Sequence, residues 1–219
     1  MKKLFSLLAC VLGLVANSSA QAPPEKQYVD VVPPKLLTTT DKVEVVEVFS
    51  YACIHCAHFQ PLVDEWRKHI DAKKVEFTYL PSPYNPLYQL LARGYYTAAS
   101  MGVAEKTHYE IFNAIHERGA RIQSLDDLAS VYAQLGVPRD KFLATANSFF
   151  VESQVRRALE MVVTYRADST PSLIIAGKYR ITADLAGGQE NMLKVADQLI
   201  AKELAQSKST SRQAPSNGK

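Results

Sequence analysis

The run Val43-Glu44-Val45-Val46-Glu47-Val48-Phe49 leads without a break into Ser50-Tyr51-Ala52-Cys53-Ile54-His55-Cys56. A short, nearly continuous apolar run is the pattern of a strand buried on both faces, and therefore of a central strand in a sheet covered by helices. Beyond the loop, Phe59, Leu62, Val63, Trp66 and Ile70 recur at helical spacing, which puts Cys53 at or near a helix N-terminus. Pro61 lies inside that helix and is expected to kink it. Val75–Leu80 reads as the next strand, so strand, helix and strand make a βαβ unit.

From about Pro86 to Tyr165 the period is helical throughout. Ile111, Phe112 and Ile115 share one face, and Leu125, Leu128, Val131, Tyr132 and Leu135 form another stripe. That stripe opens on a capping box from Ser124 to Asp127 and closes at Gly136, with Pro138 beyond. Val155, Leu159 and Val162 mark a longer final helix. Strand pattern returns at Pro171–Ala176, where Gly177-Lys178 is read as a two-residue hairpin turn into Tyr179-Arg180-Ile181. A last amphipathic helix carries Met192, Val195 and Leu199 and is placed from Gln189 to Leu204. The polar tail 206–219 is expected to be disordered. Upstream, Tyr28–Val32 reads as a short edge strand within a Pro-rich lead-in.

The chain opens on Met1-Lys2-Lys3, an apolar run from Leu4 to Ala16, and Asn17-Ser18-Ser19-Ala20. A charged start, an apolar stretch too short to span a bilayer and small residues before a cut site describe a secretory signal peptide over residues 1–20. Cleavage after Ala20 fits best; a cut after Ala22 would leave Pro23 beside it, and Cys10 lies too early in the run for a lipid anchor. Loss of Lys2 and Lys3 takes the formal charge from +3 to +1, and no basic block points to nucleic acid. Cys10 leaves with the leader, so the exported chain keeps Cys53 and Cys56 alone.

Four chemistries use C-x-x-C. Haem attachment needs His after the second cysteine, and Ala57 stands there. A structural zinc site needs four ligands; no third cysteine remains, and His55 and His58 sit too close to the pair, while His108 and His116 lie elsewhere. A staple closing so short a loop constrains the unfolded chain little. Redox exchange remains, and its logic fits the placement. Cys53 at the helix N-terminus is favoured as a thiolate and as the exposed partner in mixed disulfides, while Cys56, a turn in, is the resolving thiol. His55 either donates a hydrogen bond or positive charge to Cys53, or is an exposed loop residue. His58 and His69 read as surface residues.

The stretch F-S-Y-A-C-I-H-C, the helix with Pro61, and Ser169-Thr170-Pro171 before the returning strand resemble the DsbA family of periplasmic thiol-disulfide oxidoreductases. The resemblance covers roughly residues 27–204. It implies an α/β architecture, a thioredoxin fold interrupted by an all-helical insertion. In domain terms, 21–81 with 166–205 form the thioredoxin unit and 82–165 the insertion. It implies that Pro171 is a cis-proline facing the cysteines, against the alternative of an ordinary trans proline opening a strand. Thr170 would then offer backbone groups to an extended substrate. Glu47 matches a buried acid beneath the active site, either a proton acceptor for Cys56 or a polar residue at an exposed strand end. Two positions depart from the pattern: Ile54 stands where relatives commonly have proline, and Tyr79 where one branch has a lysine partner for the acid.

The implied activity is an oxidase that passes its Cys53–Cys56 disulfide to reduced, unfolded exported proteins, with reoxidation by a quinone-linked membrane partner of the DsbB type. No metal or cofactor is required, since the redox centre is protein-borne, and a monomer is expected. An isomerase or reductase kept reduced, and a peptide-binding assembly factor with a vestigial disulfide, are the rival readings.

Overall fold

The structure is a computed structural model and describes residues 26–38 and 40–213. The leader and its cut after Ala20 lie outside the described residues. A five-stranded sheet has the order β1-β5-β4-β2-β3. Its strands are β1 (Val29–Asp30), β2 (Val43–Phe49), β3 (Val75–Pro81), β4 (Ser172–Ile175) and β5 (Tyr179–Thr182). β2 runs parallel to β3 and antiparallel to β4, so it is central, and every residue in it is buried.

The pleat of β2 sorts its side chains between two cores. Val43 and Val45 pack with Phe59, Val63 and Trp66 of α1 (Ile54–Arg67) and with Met192, Val195 and Leu199 of α8 (Gln189–Gln213). Val46 and Val48 face the other way, onto Ala158, Met161 and Val162 of α6 (Phe149–Thr164). Glu47 alternates with Val45 and Phe49 and therefore lies on the α1 side. α1 carries Pro61 without ending there.

Between β3 and β4 stand α2 (Pro86–Ser100), α3 (Ala104–His116), α4 (Leu125–Gln134), α5 (Arg139–Ala146) and α6. They close a third core, in which Leu91, Ile111, Phe112, Leu128, Tyr132 and Phe142 surround Phe49, Tyr51 and Cys56 at the end of the sheet. The Ser50–Cys56 loop is thus roofed by the helices between β3 and β4. The capping box at Ser124 is present, with Asp127 closing it, and Asn85 caps α2 by accepting the Tyr88 N–H at 2.9 Å. Among the described residues no helix is long and apolar enough to cross a membrane.

Three local readings are corrected. The hairpin turn centres on Ala176 and Gly177, not on Gly177 and Lys178, because the Lys178 N–H bonds to the Ile175 carbonyl at 2.9 Å. Both central residues have positive φ (52° and 63°), as a hairpin turn matched to strand twist requires. A Cβ on Gly177 would also stand 2.2 Å from the Lys35 carbonyl oxygen. Leu159 is exposed; the buried stripe of α6 is Val151, Val155, Ala158 and Val162, with Met161. Finally, α8 runs on to Gln213, past Gln206, where disorder was expected, because the helical ladder continues into the polar segment.

Candidate active site

β2 ends at Phe49, and the Cys53 N–H bonds to the Ser50 carbonyl at 3.0 Å as the chain turns into α1. Cys53 occupies the cap position in an extended conformation (φ −89°, ψ 113°), and no side chain caps the helix. The helix N-terminus is therefore free to serve the sulfur. Both thiols are free; Cys53 is half-buried, while Cys56 has no exposed surface.

The two sulfurs are driven apart electrostatically. Cys53 is pulled down to about 5, chiefly by a hydrogen bond from the Cys56 thiol, with burial opposing, and with the Thr170 hydroxyl and the backbone N–H groups of Cys56 and His55 assisting. While protonated, the Cys53 thiol donates to the Thr170 carbonyl at 3.3 Å. A thiolate has no proton to give, so after ionisation the hydroxyl of Thr170 is the useful partner. Cys56 is pushed well up, first by burial and then by its hydrogen bond to Cys53 and the negative charges of Cys53 and Glu47.

Glu47 is fully buried, and neither carboxylate oxygen has a hydrogen-bond partner. Burial, with Asp64 adding to it, pushes its carboxyl up to about 8, against the pull of Arg67. This removes the reading of a polar residue at an exposed strand end. The contrast with Glu44 is instructive, since it is equally buried on the opposite face of β2. Glu44 accepts from the Leu37 N–H (2.9 Å), the Thr38 N–H (2.7 Å) and the Thr38 hydroxyl (2.6 Å). One carboxylate is fully satisfied and structural; the other is left without partners beside the thiols.

A buried polar chain lies on the same side of the sheet. Gln60 Nε2 donates to Asp64 Oδ1 at 2.8 Å and to the Tyr79 hydroxyl at 2.7 Å, which fixes its amide so that Oε1 faces His108 Nε2 at 2.9 Å. His108 Nε2 must then carry the proton, and Nδ1 accepts from the Tyr51 hydroxyl at 2.9 Å. Burial holds His108 down at about 3, so the ring is neutral. Arg67 donates to the Tyr79 hydroxyl at 3.3 Å and pairs with Glu105 at 3.1 Å, beside a small cavity of about 30 Å³. α3 holds the loop a second time, with His116 Nε2 lying 2.8 Å from the Tyr51 carbonyl.

Most of the sequence-selected residues meet here. Thr170-Pro171 is a cis peptide bond set against Cys53. The His55 ring is exposed and lines a cavity with Pro171, and its backbone N–H helps hold Cys53 down. Ile54 is 41% exposed beside Cys53. Sequence reasoning missed Gln60, Arg67, His108 and His116 as site neighbours, and it missed Tyr88. The Tyr88 phenol is pushed up by burial and by charge on Cys53 and Cys56, and hydrogen bonds with Ser50 and Thr170 oppose this. His108 could have been found, because it continues the face of Ile111, Phe112 and Ile115 and so had to be buried. Among the described residues no cluster of His, Cys, Asp and Glu could hold a metal ion.

The family model described as a DSBA-like thioredoxin domain matches residues 87–199. The thiol:disulfide interchange protein DsbA of Pseudomonas aeruginosa is 34% identical over 201 residues, spanning 92% of this chain and 94% of that protein. The DsbA of Pseudomonas syringae pv. tomato is 34% identical over 91% of this chain and 93% of its own. The crystal structure of Pseudomonas aeruginosa DsbA superposes with a TM-score of 0.79 at 36% identity, covering 84% of this chain and 95% of that one. A Proteus mirabilis DsbA variant, solved with a non-covalently bound peptide, gives 0.68 at 26% identity, covering 83% of this chain and all of that one. Over nearly its whole length the chain belongs to the DsbA family of thiol:disulfide oxidoreductases.

Proposed function

We propose that the protein is an exported dithiol oxidase that donates a Cys53–Cys56 disulfide to reduced, newly exported proteins in the periplasm. The supporting observation is the inequality of the thiols: Cys53 half-buried and held near 5, Cys56 buried and pushed up. A substrate thiolate attacks Cys53 Sγ, the Cys53–Cys56 bond breaks, and its electron pair leaves on Cys56. Glu47, holding a proton at neutral pH, supplies it to that sulfur. A second substrate thiolate attacks the substrate sulfur of the mixed disulfide and expels Cys53 as a stable thiolate. The substrate thus loses two electrons and two protons; Glu47 takes back a proton from solvent, so the net result is one proton on Cys56 and the other in solvent. Thr170 and Pro171 present backbone to the extended substrate. The peptide bound to the Proteus mirabilis relative supports a peptide-binding face of this kind.

On this reading residues 21–81 and 166–205 form the thioredoxin unit and 82–165 the insertion. The reduced dithiol is reoxidised by a quinone-linked membrane protein of the DsbB type, the protein acts as a monomer, and the leader is removed after Ala20. No metal or cofactor takes part.

The test is trapping. Cys56→Ser, with Cys53 first converted to a disulfide with nitrothiobenzoate, should accumulate a mixed disulfide between Cys53 and an unfolded client with one reduced cysteine, releasing the nitrothiobenzoate thiolate, whereas Cys53→Ser treated the same way should accumulate none. Trapping through Cys56, or client binding without oxidation by the unsubstituted protein, would sink the reading.

A further inference from the structure

Two cavities flank the Cys53–Thr170–Pro171 corner. One, of about 310 Å³, is lined by Cys53 and Thr170 together with Ser82, Tyr84, Tyr88 and Asp168. The other, of about 340 Å³, lies across Thr170–Pro171 and is lined by His55, Thr182, Asp184 and Gln189. A strand advances about 3.3 Å per residue with side chains alternating. A peptide lying extended over this corner, with its cysteine at Cys53, therefore puts residues within two positions of that cysteine into both cavities.

The linings share one charge sign. Asp168 and Asp184 are the acidic side chains among the described lining residues, and neither lining includes a lysine or arginine. Asp184 has no ion-pair partner among the described residues and sits exposed in the first turn of α7 (Ala183–Ala186). Asp168 accepts from Arg180 at 2.7 Å, yet its side chain is 77% exposed while that of Arg180 is 14% exposed. The arginine thus holds the carboxylate from behind, and unused acceptor sites face solvent. Tyr84, 74% exposed, and the half-buried Tyr88 offer ring faces on the same rim, and aromatic faces favour cations. In the oxidised protein Cys53 carries no charge, so these carboxylates dominate the local field when the substrate arrives.

We infer that the site selects substrate cysteines flanked by lysine or arginine, with Asp168 and the Tyr84–Tyr88 rim on one side of the cysteine and Asp184 on the other. This inference rests on the reading of Cys53 as the attacked sulfur. Cationic flanks also raise the thiolate fraction of the substrate cysteine, which any disulfide would feel, so the site's own contribution must be separated from that effect.

Two peptides of equal length, each with one central cysteine flanked by lysines or by glutamates, would be reacted with the oxidised protein in stopped flow. The same pair would be reacted with a small neutral disulfide. The lysine-to-glutamate rate ratio on the protein should exceed that on the small disulfide by about fivefold at low salt and shrink as salt is added. Asp184→Asn should lower the excess, and Asp184→Asn with Asp168→Asn should bring it within about twofold. Equal ratios on protein and small disulfide, or an excess that survives both substitutions, would overturn the proposal. Oxidation of dithiothreitol by the unsubstituted protein separates the layers. If it fails, the oxidase reading and this inference fall together; if it succeeds while the ratios are equal, only the inference falls.

Discussion

Glu47 and Tyr79 are direct partners in the parallel ladder of β2 and β3, yet no hydrogen bond joins them. The Tyr79 hydroxyl is taken by Gln60 and Arg67. A phenol supplies no positive charge, so burial governs the carboxyl and raises it from 4.5 to about 8. In the unfolded chain Glu47 ionises at its ordinary value, while the folded chain keeps the proton. Between those values the folded state binds more protons, so this group's contribution to stability falls as pH rises through the window. Glu47→Gln should therefore stabilise the fold by as much as ~3 kcal/mol at neutral pH and by nothing near pH 4, as read by urea unfolding at both values. The same variant should slow reoxidation, which must remove the Cys56 proton.

Glu44 provides the opposite sign on the same strand. Glu44→Ala strands two backbone N–H groups and the Thr38 hydroxyl, and should destabilise by about 3 kcal/mol. Urea midpoints of the Glu44 and Glu47 variants should shift in opposite directions at neutral pH.

The Cys53 thiolate should titrate near 5 by ultraviolet absorbance in the reduced protein. Cys56→Ala removes the largest stabilising hydrogen bond and should raise that value by about one unit or more; Thr170→Val should raise it by less. Because the depressed value belongs to the folded, reduced protein, the stabilisation is complete above the free-thiol value and is lost as pH falls through 5. Reduced protein should melt above oxidised protein at neutral pH, and the gap should close toward pH 4, as calorimetry on both forms would record.

His108 contributes a separate acid limb. Its folded ring stays neutral down to about 3, whereas the unfolded ring takes a proton below 6.5, so stability is lost as pH falls below 6.5. His108→Leu should flatten that limb but leave the Tyr51 hydroxyl and Gln60 Oε1 unpaired, at a cost of about 2–4 kcal/mol at neutral pH. Thermal unfolding across pH 4 to 8 reads both effects.

The amino-acid sequence by itself determined the central strand at Val43–Phe49, the helix that begins at Cys53, the helical insertion and the returning hairpin, because apolar period and turn chemistry are local properties. It also singles out Cys53 and Cys56 as the candidate redox pair, since ligand supply and Ala57 argue against zinc and haem and the short loop weakens the staple reading. The turn at Ala176-Gly177 escaped because alanine does not advertise positive φ. Only the tertiary structure decided what surrounds the sulfurs. Thr170 lies 117 residues from Cys53, and His108 lies 48 from Gln60. It also separated Glu44 from Glu47, two identical letters in one strand, by giving one three donors and the other none. A buried charge takes its properties from the partners that folding brings to it, and those partners are distant in the chain.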